Sequence, residues 1–187
     1  MKQALLILST LILLVTSIPA QSALSSDAMA FVGLASYTPR ATAASDAAEG
    51  SLSAAARIER RAFHMINEKR AEKGLAPLEW NDELANMARF HSKHMAEFKF
   101  FSHKDQEGLM VNDRADKFGL HEWRAIGENI AFNKGFDDPA AMAVQNWMES
   151  RSHRENLLSQ DWIQSAIGLA VSEDGSYYFT QVFLLKK

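Results

Sequence analysis

The chain has 187 residues, enough for one globular domain with extra segments and too few for two stacked enzyme domains. With 47% hydrophobic and 23% charged residues, and 11 Phe, 4 Trp and 3 Tyr to fill a core, wholesale disorder is excluded. A formal charge of -3 supplies no strong field for nucleic acid or anionic lipid, and the absence of Cys removes disulfides, thiolate nucleophiles, iron-sulfur clusters, Cys-rich zinc sites and a lipidated N-terminal Cys together.

The chain opens with Met1, Lys2 and Gln3, runs through mostly apolar residues from Ala4 to Ile18, and reaches Pro19 and the small or polar Ala20 to Ala23. This is the layout of a secretory signal, so residues 1–23 are expected to be cleaved after Ala20 or Ala23. Ser9 and Thr10 interrupt a run already shorter than the ~20 residues that span a bilayer, so no stable membrane span is expected after cleavage. Residues 24–56 are dominated by Ala and Ser and read as a linker, although Met29, Phe31, Val32 and Leu34 leave a packed arm open. The location expected is secreted or periplasmic.

Residues 57–187 carry the periodic patterns of a folded domain. A helix is predicted over Arg57 to Lys73, with Ile58, Ala62, Met65, Ile66 and Lys69 on one stripe, Glu59, Arg60, Glu68 and Arg70 facing water, and Gly74 ending it. Asn81 caps a second helix to about Glu97, with Leu84, Met87, Ala88, His91 and Met95 at helical spacing. Asp138-Pro139 opens a third, striped by Ala140, Ala143, Val144, Trp147 and Met148, and the capping-box spacing of Ser152 and Glu155 predicts a short separate helix. Ala166 to Ser172 and Tyr177 to Leu185 read as strands joined at Asp174-Gly175. In the second strand Tyr178, Val182 and Leu184 point one way and Tyr177, Phe179, Phe183 and Leu185 the other, so both faces are expected to be covered. The fold class is therefore α+β, a three-layer α/β/α sandwich with a small antiparallel sheet between helices.

Three strings place titratable groups near expected element ends: Phe101-Ser102-His103, Gly127-Glu128-Asn129-Ile130-Ala131, and the run from Trp147 to Arg154. Glu128 lies among Ile126, Ile130 and Ala131, where an ionised carboxylate needs a donor or a metal. His103 follows Phe98, Phe100 and Phe101, a setting that also favours a partnered imidazole, and His153 stands three positions beyond Ser150. His91 falls on a buried stripe and reads as a core histidine. His94, at the stripe's margin, and His64 and His121 have no supporting motif, and Ala125 stands where a zincin string starting at His121 would need histidine. Asn112, Arg114 and Asp116 read as loop geometry and surface pairing, and Tyr177 and Tyr178 as core.

In this order, and ahead of Tyr178-Phe179-Thr180-Gln181, these strings resemble the CAP superfamily of cysteine-rich secretory, antigen 5 and pathogenesis-related 1 proteins, also called the SCP domain. The likeness covers roughly residues 58–185 and is to the Cys-free bacterial branch, carried by Asn67-Glu68-Lys69-Arg70, Gly74-Leu75, Pro77-Leu78, His91-Ser92, Ser102-His103, Gly127-Glu128-Asn129, Trp147, Ser150, His153-Arg154, Ile167-Gly168 and Thr180-Gln181. The resemblance implies an extracellular sandwich with a central cleft, lined in eukaryotic members by two His and two Glu. His103 and Glu128 match the first His and one Glu, whereas Ser150 and Tyr178 stand at the other two positions and Lys104 replaces the usual Asn. The cleft residues implied are His103, Glu128, Ser150, His153 and Tyr178. Any zinc ion or other divalent metal would rest on His103, Glu128 and His153.

Three functions stay open on these residues. One is a non-catalytic exported binding module for a small molecule, lipid, sterol or cell-envelope component, with no nucleic-acid partner. A second is a hydrolase, with Ser150 as nucleophile and His153 as base, or with a metal on His103, Glu128 and His153 activating water; no Gly-x-Ser-x-Gly elbow accompanies it. The third is a scaffold whose polar cleft only fixes loop packing.

Overall fold

The first helix, α1 (Ala54–Ala71), begins inside the stretch read as linker, because Ser53 Oγ accepts the Ala56 N–H at 3.1 Å and fixes the helix start there. The structure, a computed structural model, describes residues 52–187; the signal segment 1–23, the apolar cluster near Phe31 and most of the linker lie outside the described residues. Gly74, at φ 68, turns the chain after α1.

Two residues of α1 depart from the expected solvent face. Glu59 and Arg70 are each about 1% exposed. Arg70 donates to the carbonyls of Ala76, Leu157 and Ser159 at 2.8 to 2.9 Å, tying α1 to two loops. Glu59 accepts from Arg89 at 2.6 Å and from the Leu169 N–H at 3.0 Å. Their partners come from distant parts of the chain, which helical periodicity does not register.

The short strand β1 (Glu79–Trp80) leads into α2 (Asp82–Phe98), whose cap is the predicted Asn81, accepting the N–H groups of Glu83 and Leu84. This helix ends at Lys99 in the left-handed region, φ 54 and ψ 46, and the following chain carries Phe100 to His103 away from the axis. A helix without a sequence forecast, α3 (Val111–Lys117), comes next, and then a strand also without one, β2 (Trp123–Lys134). Glu128 therefore sits within a long strand and not near an element end. After α4 (Pro139–Glu149), capped by Asp138 through Ala141 N–H at 3.0 Å, the helix α5 (Arg151–Leu157) starts from Ser150. The predicted Ser152–Glu155 box does not start it; Glu155 accepts from Arg151 at 2.9 Å instead. The hairpin β3 (Gln164–Val171) and β4 (Ser176–Lys186) turns at Gly175, φ 81, with Asp174 Oδ1 accepting from Ser172 Oγ and Ser176 N–H.

The strands run in the order β1-β3-β4-β2, antiparallel except for the two-residue pairing of β1 with β3. On one face Phe179 and Phe183 of β4 pack with Ala62 and Ile66 of α1, Val144 and Trp147 of α4 and Leu157 of α5. On the other, Val182 and Leu184 pack with Leu84, Met87 and Ala88 of α2 and Ala115 of α3. The alternation read from β4 thus has a helical layer on each side, and the α/β/α sandwich is the observed fold.

Candidate functional site

Strand β2 delivers the acid of the site and the chain beyond α2 delivers the imidazole. Glu128 is buried, and its two carboxylate oxygens have different partners: His103 Nδ1 donates to Oε1 at 2.8 Å, and an amino group of Arg114 donates to Oε2. The second amino group of Arg114 donates to the carbonyls of His103 and Leu109, both at 2.9 Å. Arg114 is about 1% exposed, so its assignment to surface pairing is corrected. It is the donor that the apolar setting of Glu128 demands, and that demand was the sequence signal that could have found it.

The next β2 residue positions the other histidine. Asn129 is buried, donates through Nδ2 to the His153 carbonyl at 3.1 Å, and accepts from Asn156 Nδ2 at 3.1 Å. Asn156 also donates to the Glu128 carbonyl at 3.4 Å. The backbone of α5 at His153 and the side chain of Asn156 are thereby fastened to the same stretch of β2 that holds Glu128. Burial pushes the His153 imidazole below its ordinary pKa, and the charge of His103 pushes in the same direction, so the two rings lie within electrostatic reach.

Ser150, His153 and Tyr178 line a cavity of about 460 Å³ together with Lys99, Phe100, Phe101, Ile130, Ala131, Phe132, Asn146 and Trp147. Its wall is largely aromatic: the Phe132 ring lies 5.0 Å from Tyr178 and 6.2 Å from Phe101. Trp147 anchors the wall by donating from Nε1 to the Ile130 carbonyl at 2.9 Å. Among the described residues Lys99 is the one permanently charged side chain on the lining, and no carboxylate of theirs contributes to it. His103 and Glu128 do not line this cavity; they form a hydrogen-bonded pair outside its lining. Of the five sequence-predicted cleft residues, three share the cavity and two share a hydrogen bond.

Two chemical readings can be compared with this geometry. Ser150 and His153 make no hydrogen bond to each other among the described residues; the partner of Ser150 Oγ is Ser152 Oγ at 3.5 Å. Ser150 has extended backbone as the cap residue between α4 and α5, so it shares the cavity wall with His153 without being part of the helix that carries it. The trio His103, Glu128 and His153 is not drawn together in this structure: among the described residues no three His, Asp or Glu side chains are grouped so as to hold an ion. The physical reason is that His103 Nδ1 and the Arg114 cation already occupy the two oxygens of Glu128. The residues present do not fit the zinc that the resemblance implies. His91 is the core histidine expected, its Nε2 meeting the Ser102 carbonyl at 2.9 Å while Nδ1 has no partner.

The profile of the CAP family, described as the cysteine-rich secretory protein family, matches residues 63–183. The uncharacterized membrane protein YlbC of Bacillus subtilis (strain 168) is 36% identical over 126 residues, 67% of this chain and 34% of its own length. The uncharacterized protein YkwD of the same organism is 30% identical over 171 residues, 91% of this chain and 63% of its own. This chain therefore spans about a third of one curated relative and less than two thirds of the other. Among solved structures, an extracellular protein containing a SCP domain from Bacillus anthracis str. Ames superposes with TM-score 0.60 and 29% identity, covering 69% of this chain and 40% of that one. No helix among the described residues is long and apolar enough to cross a membrane.

Proposed function

We propose, for a chain that belongs to the CAP family of cysteine-rich secretory proteins, that it acts outside the cytoplasm as a non-catalytic binding module. The ligand it takes is a small molecule, lipid or envelope component with an apolar body, seated in the cavity between Phe101, Phe132 and Tyr178. The observation that carries this reading is the cavity itself: about 460 Å³, walled by aromatic rings, with Asn146, Ser150 and His153 as the few polar groups that would orient a guest. Export to a secreted or periplasmic location is supported by the signal-like residues 1–23 and by the extracellular description of the Bacillus anthracis relative.

The test is native mass spectrometry of the full chain after incubation with a lipid and small-molecule extract of a bacterial envelope. Uptake by the wild type that is weakened by Phe132→Ser supports the reading, because Phe132 is 43% exposed and its replacement leaves the core intact. Absence of uptake across the extract, or uptake indifferent to Phe132→Ser, overturns it. Ester or peptide turnover abolished by Ser150→Ala would establish the hydrolase in its place.

A further inference from the structure

Glu128 belongs to the metal set that the resemblance suggests, yet one of its oxygens is bound by the guanidinium of a residue from α3. We propose that Arg114 is the positioning residue of the site: it takes the electrostatic place of a metal ion, fixes His103 through Glu128 as the Nδ1–H tautomer, and makes the site independent of zinc.

One guanidinium grips His103 from two sides. Its Nη1 donates to the His103 carbonyl at 2.9 Å, which sets the backbone, and its other amino group donates to the carboxylate that takes the ring's Nδ1–H at 2.8 Å. The carboxylate and the guanidinium are almost completely buried, with 3% and 1% of their side-chain surfaces exposed, so water does not compete for either. His103 itself is 41% exposed, and Nε2 has no partner among the described residues. With the proton held on Nδ1, Nε2 is left as an acceptor at the exposed edge. A guanidinium does not deprotonate in proteins, so this positive partner, unlike a bound ion, is not removed by a chelator. A divalent ion approaching Glu128 would meet a fixed cation already bonded to Oε2. The leucine carbonyl at position 109 completes the seat of Arg114, accepting from Nη1 at 2.9 Å.

Nuclear magnetic resonance of the full chain labelled with nitrogen-15 reads the ring nitrogens of His103 directly, above the ordinary imidazole titration range. The expected result is a protonated Nδ1 and an unprotonated Nε2, unchanged by equimolar zinc sulfate or by chelator, with no zinc retained through gel filtration. In Arg114→Met the tautomer becomes a mixture; Arg114→Lys, which keeps the charge but not the two-sided grip, restores it in part. An Nε2–H tautomer in the wild type, zinc-dependent shifts of the His103 resonances, or stoichiometric zinc uptake would each overturn the proposal. The wild-type measurements decide it even where Arg114→Met does not fold. None of these readings uses a cleft ligand, so they stand or fall separately from the binding function proposed above.

Discussion

Gly168 of β3 lies directly beneath the backbone of Arg89 in α2: a Cβ at position 168 would stand 2.0 Å from the Arg89 nitrogen and 2.2 Å from the Ala88 carbonyl carbon. Helix and strand meet there with no side chain between them, and Ser92 Oγ closes the contact by donating to the Gly168 carbonyl at 2.9 Å. Because the clash is with backbone, no rotamer relieves it. Gly168→Ala is expected to destabilise the fold by about 3 kcal/mol, at the upper end of overpacking effects. Urea unfolding monitored by tryptophan fluorescence checks this; a loss under ~0.5 kcal/mol would show that α2 can lift off the sheet freely.

The two sides of the Glu59–Arg89 pair should respond unequally. The Glu59 side chain is 2% exposed and also accepts the Leu169 N–H, whereas that of Arg89 is 40% exposed. Glu59→Ala leaves a buried N–H and a cation unpartnered, and should lower stability by about 3 kcal/mol. Arg89→Ala should still destabilise, because it leaves the buried carboxylate with only the Leu169 N–H. Thermal unfolding of both variants and of the double variant gives the coupling, and strict additivity would contradict the pairing.

Mild acid should weaken the protein. Burial, the largest influence, pushes His91 below its ordinary pKa, and it does the same to His153. The unfolded chain binds protons near the usual imidazole pKa of ~6.5, before the folded chain does. Stability is therefore complete above that value and declines as pH falls toward the depressed folded pKa. His91→Gln, whose amide can still donate to the Ser102 carbonyl, should flatten the decline. Melting temperatures across the mildly acidic range test the sign, and a rise on acidification would refute it.

Helix caps separate residues of similar chemistry. Asn81 accepts two N–H groups of α2 and donates to Gln164 Oε1 at 2.9 Å, so Asn81→Ala should cost about 1–2 kcal/mol. Ser150 precedes α5 without a side-chain cap bond, and Ser150→Ala should change stability by less than ~0.5 kcal/mol. Equal losses in the two variants, measured by chemical denaturation, would contradict this assignment.

The parts legible in the sequence were those set by local periodicity. Helical stripes placed α1, α2 and α4, and the two-sided apolar pattern of β4 required a layer on each face, as Phe183 and Val182 show by packing with opposite clusters. Strand β2 was missed because Glu128, Asn129 and Asn133 break any apolar alternation, yet all three are buried and bonded across the chain. The resemblance brought His103 and Glu128 together as candidates; their 2.8 Å contact across 25 positions follows from topology, which spacing does not encode. Arg114 was misread because a charged residue in a short polar helix looks solvated until its acid is located. Ser150 and His153 share the cavity lining that their three-residue spacing allowed, but Ser150 is the cap residue between two helices and the two side chains make no hydrogen bond among the described residues.

Strand β3 is paired with β1 over only two residues, Gln164 and Ser165, so the rest of that edge has no strand beside it among the described residues. Beyond that pairing the Glu59 carboxylate of α1 accepts the Leu169 N–H, a strand donor that no neighbouring strand takes. A residue of a helix–helix ion pair thus also satisfies a buried donor on the sheet edge, so that one carboxylate joins α1, α2 and β3.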